Sequence, residues 1–360
     1  MTSEAWLMNR NHQPQTGFVL VIVLAILVVL SLLAAATATS SERTIMAAQG
    51  ESQAFESELN MISTRDTLLY MLATQRQTTG GMTVADIDAN ATLAVPPEDP
   101  DGLSALPTGT EIRLDGSIYQ GLGNTQFSLQ DDRGLISPNW ASTPVKYALY
   151  SYWGAKSNQL PDLEAKVLDY QDEDDLHRVN GAEAPQYLAR GLAPPTNRPL
   201  QTPIEIRKVL GFKELLADTD DDNLLSTITV SRGAYVNVNT APPHVLELLP
   251  GITATNAKRI VDRRKLTPFT STYRLQEDLE IPTEVAESLT LFAKPSGNLT
   301  LWDQLSGARH LMHWTLTPLA VGGPPWRIDY EVILPRVKKS DKAVAETAAT
   351  PLLATGSPDR

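Results

Sequence analysis

The sequence predicts an α+β chain. A long N-terminal helix stands with its foot in lipid and its shaft against an antiparallel sheet, and a large helical block interrupts that sheet. Three observations predict this. The run Phe18 to Ala36 is apolar apart from Ser31, and no Asp, Glu, Lys or Arg occurs from Asn11 to Ser41. Strand-like segments occur both before and after the middle of the chain. From about 137 to 292 the pattern changes to helical segments broken by Pro and Gly.

The first element is the apolar run. At 1.5 Å per residue, about 19 helical residues span roughly the ~30 Å hydrocarbon core. Directly before it stands Gln15-Thr16-Gly17, a small-residue junction abutting Phe18. A secretory signal peptide has its small residues after the apolar core and loses that core. Here the junction precedes the core, which favours a prepilin-type leader cut between Gly17 and Phe18, with the helix retained. Ala34-Ala35-Ala36 keeps a signal peptide open as the other reading. Arg10 and Glu4 cancel, so the leader lacks the cationic excess that sets orientation, which then rests on the junction. Beyond the run, Phe55, Leu59, Ile62, Leu69 and Ala73 step by threes and fours, interrupted by Asp66. With no Pro and only Gly50 before Thr79, one helix is expected from Phe18 to about Gln75, ended by Gly80-Gly81.

A Pro/Asp/Gly-rich connection follows, with PPEDPDG at 96–102. Strands are expected near Glu111–Tyr119 and Thr125–Gln130, with Asp115-Gly116 as a hairpin turn. Late strands are expected at Leu311–Val321 and Trp326–Leu334. In the last, Trp326, Ile328, Tyr330, Val332 and Leu334 share one face, with Arg327, Asp329 and Glu331 opposite. The polar, Ala/Thr-rich stretch 338–360 is expected to be disordered.

Bulk properties narrow the function. The 360 residues suffice for one large or two ordinary domains. A formal net charge of −12 disfavours nucleic acid as a partner. The absence of cysteine excludes disulfides, thiol nucleophiles and thiolate metal sites. No Walker-type loop, G-x-S-x-G or H-E-x-x-H occurs, so no enzyme is expected. His310 and His313 are the one close histidine pair and are read as surface or core residues.

Within the helical block, residues 236–265 read VNVNTAPPHVLELLPGITATNAKRIVDRRK. Asn239-Thr240 offers a cap; Val245, Leu248 and Leu249 make an apolar face. Leu249-Pro250-Gly251-Ile252 makes a tight hairpin, and Thr253 caps a second helix bearing Ala257, Ile260 and Val261. This resembles a helix-hairpin-helix unit, centred on Pro250 and Gly251. Such units often hold a DNA phosphate on hairpin amides. Lys258, Arg259, Arg263, Arg264 and Lys265 would supply the cations, but in so acidic a chain they are read as a solvated face. A shorter stretch, Gly134 to Ala141, is a degenerate echo of Gly233 to Ala241, with Asn139 and Ala141 matching Asn239 and Ala241. Earlier, LDYQDEDDLHRVNGAE packs Asp169, Asp172, Glu173, Asp174 and Asp175 together. Oxygen clusters of this kind ligate calcium or simply form a solvated loop, and both readings stay open. Asp218 to Asn223 opens like a calcium loop but has Asn223 where glycine belongs and Thr229 where the closing glutamate belongs.

These motifs together resemble the type II secretion system minor pseudopilin K (GspK) family along nearly the whole chain. The carriers are the Gly17-Phe18 junction, the Asp-rich segment leading to Gly-Ala-Glu, and the asparagine-rich opening to the hairpin. The resemblance implies a pilin-like helix and sheet with an inserted helical domain of helix-hairpin-helix or SAM-like type. On that basis 1–17 is the leader, 18–79 the spine helix, and 80–136 and 293–337 the two parts of the sheet. The inserted domain is 137–292, with its hairpin unit at 240–264. It further implies cleavage by prepilin peptidase, N-methylation of Phe18, and a single-pass protein of a Gram-negative inner membrane with its bulk in the periplasm. Implied partners are minor pseudopilins I, J and H and the inner-membrane assembly platform. Calcium binding in the α-domain is also implied, but the resemblance assigns no ligands; the candidates Asp169, Asp172, Asp174 and Asp175 come from the acidic cluster itself. Ordinary pilins carry Glu at the fifth mature position, where this chain has Ile22. A subunit without that carboxylate needs no neighbouring amine in lipid, so it suits the first position of a fibre, its tip. The alternatives are a membrane-anchored DNA-binding protein and a type IV pilus minor pilin.

Overall fold

The computed structural model describes residues 18–84, 106–109, 111–272, 275 and 288–336. The leader with Gly17, the PPEDPDG connection and the 338–360 tail lie outside the described residues. The chain divides into two compact units, one through Glu56 and one from Ser57 onward.

The first unit is helical from Phe18, the beginning of α1 (Phe18–Thr74). Val19 to Leu33 expose their large apolar side chains, and α1 is long and apolar enough to cross a membrane. At the end of the apolar run, Thr37 and Thr39 donate their hydroxyls to the carbonyls of Leu33 and Ala35, which satisfies them without breaking the helix.

In the second unit the last turns of α1 pack on a sheet. Leu68, Leu69, Met71 and Leu72 are buried against Phe127, Leu129, Leu299, Leu301 and Trp314. The expected stripe is corrected: Leu69 is buried, whereas Phe55, Leu59 and Ile62 are exposed, because only the last turns of the helix cover apolar strand faces. The helix stops at Thr74, and Gly80-Gly81 lies instead in a small hairpin of β1 (Gln77–Thr78) and β2 (Gly81–Met82).

The main sheet contains β3 (Asp115–Gln120), β4 (Thr125–Asp131), β7 (Ser296–Asp303), β8 (Arg309–Leu316) and β9 (Trp326–Leu334), in that spatial order and antiparallel throughout. Its first hairpin turns at 121–124. Asp115-Gly116, expected as the turn, opens β3 beside an irregularity in register. In β9 the expected alternation holds, with Arg327, Asp329 and Glu331 outward. The strand β7 was not singled out from sequence, although it pairs with β4 along its whole length.

Hydrogen-bonded neighbours Asp131 and Gly297 close a loop that contains the helices. These are α2 (Thr143–Tyr152), α3 (Leu160–Gln171), α4 (Ala184–Leu188), α5 (Phe212–Leu215), α6 (Asp221–Thr227), α7 (Pro243–Glu247) and α8 (Ala254–Leu266). A two-stranded parallel pair, β5 (Val236–Asn237) with β6 (Leu289–Thr290), lies among them. They bury a core of their own, running from Ile136 to Leu291 and centred on Tyr150, Tyr170, Tyr187 and Phe212.

Candidate functional site

The helical block is built twice on one plan. In the first bracket Ile136 pairs in parallel with Ile228, and Asn139 follows three residues later. Its side chain accepts from the Leu200 amide at 3.2 Å and donates to the carbonyls of Leu200 (3.1 Å) and Val230 (3.3 Å). In the second, Val236 pairs in parallel with Leu289, and Asn239 follows three residues later. Its side chain accepts from the Phe269 amide at 2.8 Å and donates to the carbonyls of Phe269 (2.9 Å) and Leu291 (3.2 Å). Each asparagine thus clamps both backbone groups of one residue and a carbonyl two positions past the parallel bridge. Each bracket then runs helix, left-handed glycine, helix: α2, Gly154 (φ 96°) and α3, then α7, Gly251 (φ 89°) and α8. A side chain at either glycine would be strained, which is why the hairpins carry glycine there. The degenerate sequence echo therefore marks a structural duplication.

The hairpin around Pro250 and Gly251 forms as expected, and Thr253 caps α8 by accepting from Asn256 at 3.2 Å. Asn239 and Thr240 do not cap α7; they face inward, Asn239 as a clamp and Thr240 onto Asp131. Arg264, read with its neighbours as part of a solvated face, is instead buried. It donates to the carbonyls of Val238 (2.8 Å) and Ala241 (2.6 Å), and its guanidinium lies 3.7 Å from Asp115 on β3. It ties the hairpin to the sheet and cannot reach a ligand. Lys258, Arg259, Arg263 and Lys265 are exposed.

Two carboxylates at the end of β4, not singled out from sequence, join the sheet to the brackets. Asp131 is fully buried and accepts from Asn237 Nδ2 (2.9 Å), Thr240 Oγ1 (2.8 Å) and the amides of Lys294 (2.8 Å) and Arg133 (3.1 Å). Burial outweighs these neutral donors and raises it to about 6. Asp132 is also buried. It accepts from Thr229 Oγ1 (2.7 Å), from Ser296 and from His313 Nε2 (3.0 Å). Burial opposes its charge too, but His313 and the two hydroxyls prevail and hold it below the usual range. His313 donates its other ring nitrogen to Asp329 at 2.8 Å. Burial disfavours the imidazolium, yet the two carboxylates push it up to about 9. The signal that would have found this group is the Asp131-Asp132 pair ending a strand that otherwise alternates.

The acidic segment after α3 folds around Arg178. Asp169, fully buried, accepts from the guanidinium at 2.7 Å and from the Ala182 amide at 2.9 Å; Asp172 pairs with the same guanidinium. A Cβ at Gly181 would meet an Asp169 oxygen at 1.9 Å, so the Gly-Ala-Glu stretch needs its glycine. Asp174 accepts from the Leu176 amide at 2.8 Å, and Asp175 from Asn197 at 3.3 Å. Glu183, missed among the candidate ligands, is 2% exposed, and neither of its carboxylate oxygens has a partner. Burial, then Asp169, Asp172, Asp175 and Asp174 in turn, raise it to about 7. Asp172 Oδ1 and Asn197 Oδ1 are likewise buried and unpartnered. This all-oxygen donor set fits a hard cation. No three His, Asp or Glu side chains converge into a ready cage among the described residues, so an ion would have to draw the 172–175 loop toward Glu183. The second acidic run is structural: Asp220 caps α6, and Asp221 and Asp222 pair with Arg207 and Arg309.

The architecture defines the class: a chain with a membrane-length helix and a sheet that carries an inserted, duplicated helix-hairpin-helix unit. Residues 132–219 match the family model of type II secretion system (T2SS), protein K, and residues 232–294 match the helix-hairpin-helix motif model. Over residues 132–219 the chain is therefore similar to protein K of the type II secretion system. Among solved structures, a chain of the GspK-GspI-GspJ complex from the enterotoxigenic Escherichia coli type 2 secretion system is similar. It has 12% sequence identity and a TM-score of 0.48, covering 79% of this chain and 98% of that one. No curated protein matches.

Proposed function

We propose that this chain is a non-enzymatic minor pseudopilin that sits at the tip of a type II secretion pseudopilus and starts or caps its assembly. The observation that carries the reading is the protein K match in the block inserted between β4 and β7, in a chain with a membrane-length helix near its N-terminus. The apolar residues from Val19 anchor the subunit in the inner membrane, N-terminus cytoplasmic and bulk periplasmic, and later pack in the fibre core. Ile22 in place of a carboxylate leaves the subunit needing no partner amine in lipid. Its partners are the minor pseudopilins I, J and H, prepilin peptidase and the assembly platform. Burial of Arg264 counts against the DNA-binding alternative.

Mass spectrometry of the mature N-terminal peptide tests this. A peptide beginning at a methylated Phe18 is expected; one beginning at Met1, or beyond Ala36, overturns the reading.

Calcium is proposed at the acidic segment, held by Glu183 with Asp172, Asp174 and Asp175, where it would fix the loop against α4 and remove the proton from Glu183. Asp169 is spoken for by Arg178. Added calcium should raise the melting temperature of the full chain in detergent, and Glu183→Gln should abolish the rise. An unchanged melting temperature in the unsubstituted protein overturns it.

A further inference from the structure

A cavity of about 710 Å³ opens between α3, the segment following α4, the turn at 203–208 and α5. Lys166, Arg190, Arg207, Lys208 and Lys213 line it against one acid, Glu214. In a chain of net charge −12 this is a local reversal of sign. Arg207 is already engaged, donating to the carbonyls of Leu216 and Thr219 and pairing with Asp221. The other four cations have no carboxylate partner among the described residues. Lys166 is half-buried, with its ammonium 3.9 Å from where a Cβ on Gly211 would stand. Arg190, Lys208 and Lys213 are exposed; like charges gathered around one opening repel one another, and that cost is reduced when anions arrive. The exposed Leu192, Ala193 and Pro194, after Arg190, supply apolar wall between the cations, with the buried Val209 and Leu210 beneath.

We propose that this cavity binds an acidic peptide segment of a partner protein. The cations come from four separate elements, and the space is far larger than a single phosphate needs. Charges spaced apart with apolar wall between them suit a chain that carries carboxylates at intervals and apolar side chains in between. The inference stands apart from the pseudopilin reading, because it concerns the surface of the helical unit alone.

The test is fluorescence anisotropy on the full chain in detergent micelles. The probe is a fluorescein-labelled peptide of alternating glutamate and leucine, compared with its glutamine counterpart. The glutamate peptide should bind, and the glutamine peptide should bind about tenfold more weakly or less. Lys208→Glu with Lys213→Glu should weaken binding about tenfold. Lys258→Glu with Lys265→Glu, the same charge change on the exposed face of α8, should leave it within about twofold. A photoreactive version of the glutamate peptide on the unsubstituted protein should crosslink within 190–214, which keeps the test decisive if a variant misfolds. Equal binding of the two peptides, equal loss in the two double variants, crosslinks confined elsewhere, or tight binding of tripolyphosphate with none of the peptide would each overturn the proposal.

Discussion

The two brackets share one clamp but are fastened to the sheet by different chemistry. The second is held by Asp131 through Asn237 and Thr240; the strand of the first is held by Asp132 through Thr229. Positions matching Asn237 and Thr240 in the first bracket are Ser137, whose buried hydroxyl has no partner, and Trp140, which is exposed. Asp131 meets only neutral donors and drifts up; Asp132 meets a charged ring and stays ionised. A duplicated unit can thus keep its internal wiring while each copy acquires its own fastening, because the clamp satisfies backbone groups that any such fold leaves buried. The fastening depends only on what the sheet presents.

The sharpest way to break this comparison is to remove the charged fastening. Asp132→Ala strands the buried His313 cation with Asp329 alone and should cost about 3–5 kcal/mol in chemical denaturation of the full chain. A loss below about 1 kcal/mol would mean that Asp132 fastens nothing.

A smaller effect separates the two clamps. Asn239→Ala leaves backbone groups unpaired in a buried setting and should cost about 2–4 kcal/mol. Asn139→Ala opens a half-buried site where water can substitute, and about 1–2 kcal/mol is expected. Equal costs would show that depth of burial does not distinguish the copies.

The third effect is a slope with pH. The folded state binds the Asp131 proton more tightly than the unfolded chain, so stability should fall as pH rises from about 4 to about 6, by on the order of 3 kcal/mol. Asp131→Asn should make that slope shallower, leaving the part that Glu183 contributes as it is raised to about 7. His313 runs in a different window: its contribution is full below pH 6.5 and is lost as pH rises through about 9. A slope left unchanged by the Asp131 substitution would mean that Asp131 is not its source and that Glu183 carries it.

Local features were legible because their causes are local. The uncharged run after Gly17, the alternation in β9, the Pro250-Gly251 turn and the Thr253 cap each follow from residues a few positions apart. Even the distant repeat was visible through Asn139 and Asn239, though not what those side chains do. A ligand set of four aspartates passes over Glu183, since a lone glutamate eight residues beyond Asp175 gives no sign in sequence of being buried.

By itself the sequence determined the membrane-length helix, the α+β class and the helical interruption of the sheet, since each rests on hydrophobic periodicity and chain-breaking residues. Only the tertiary structure decided that Arg264 is a strut rather than a surface cation, and that Asp131 and Asp132 part ways electrostatically. It alone left Glu183 without a partner and gathered cations from four elements around one cavity. The physical reason is that charge state and hydrogen-bond partnership depend on what lies within a few ångströms, and those neighbours come from residues as far apart as Asp132 and His313.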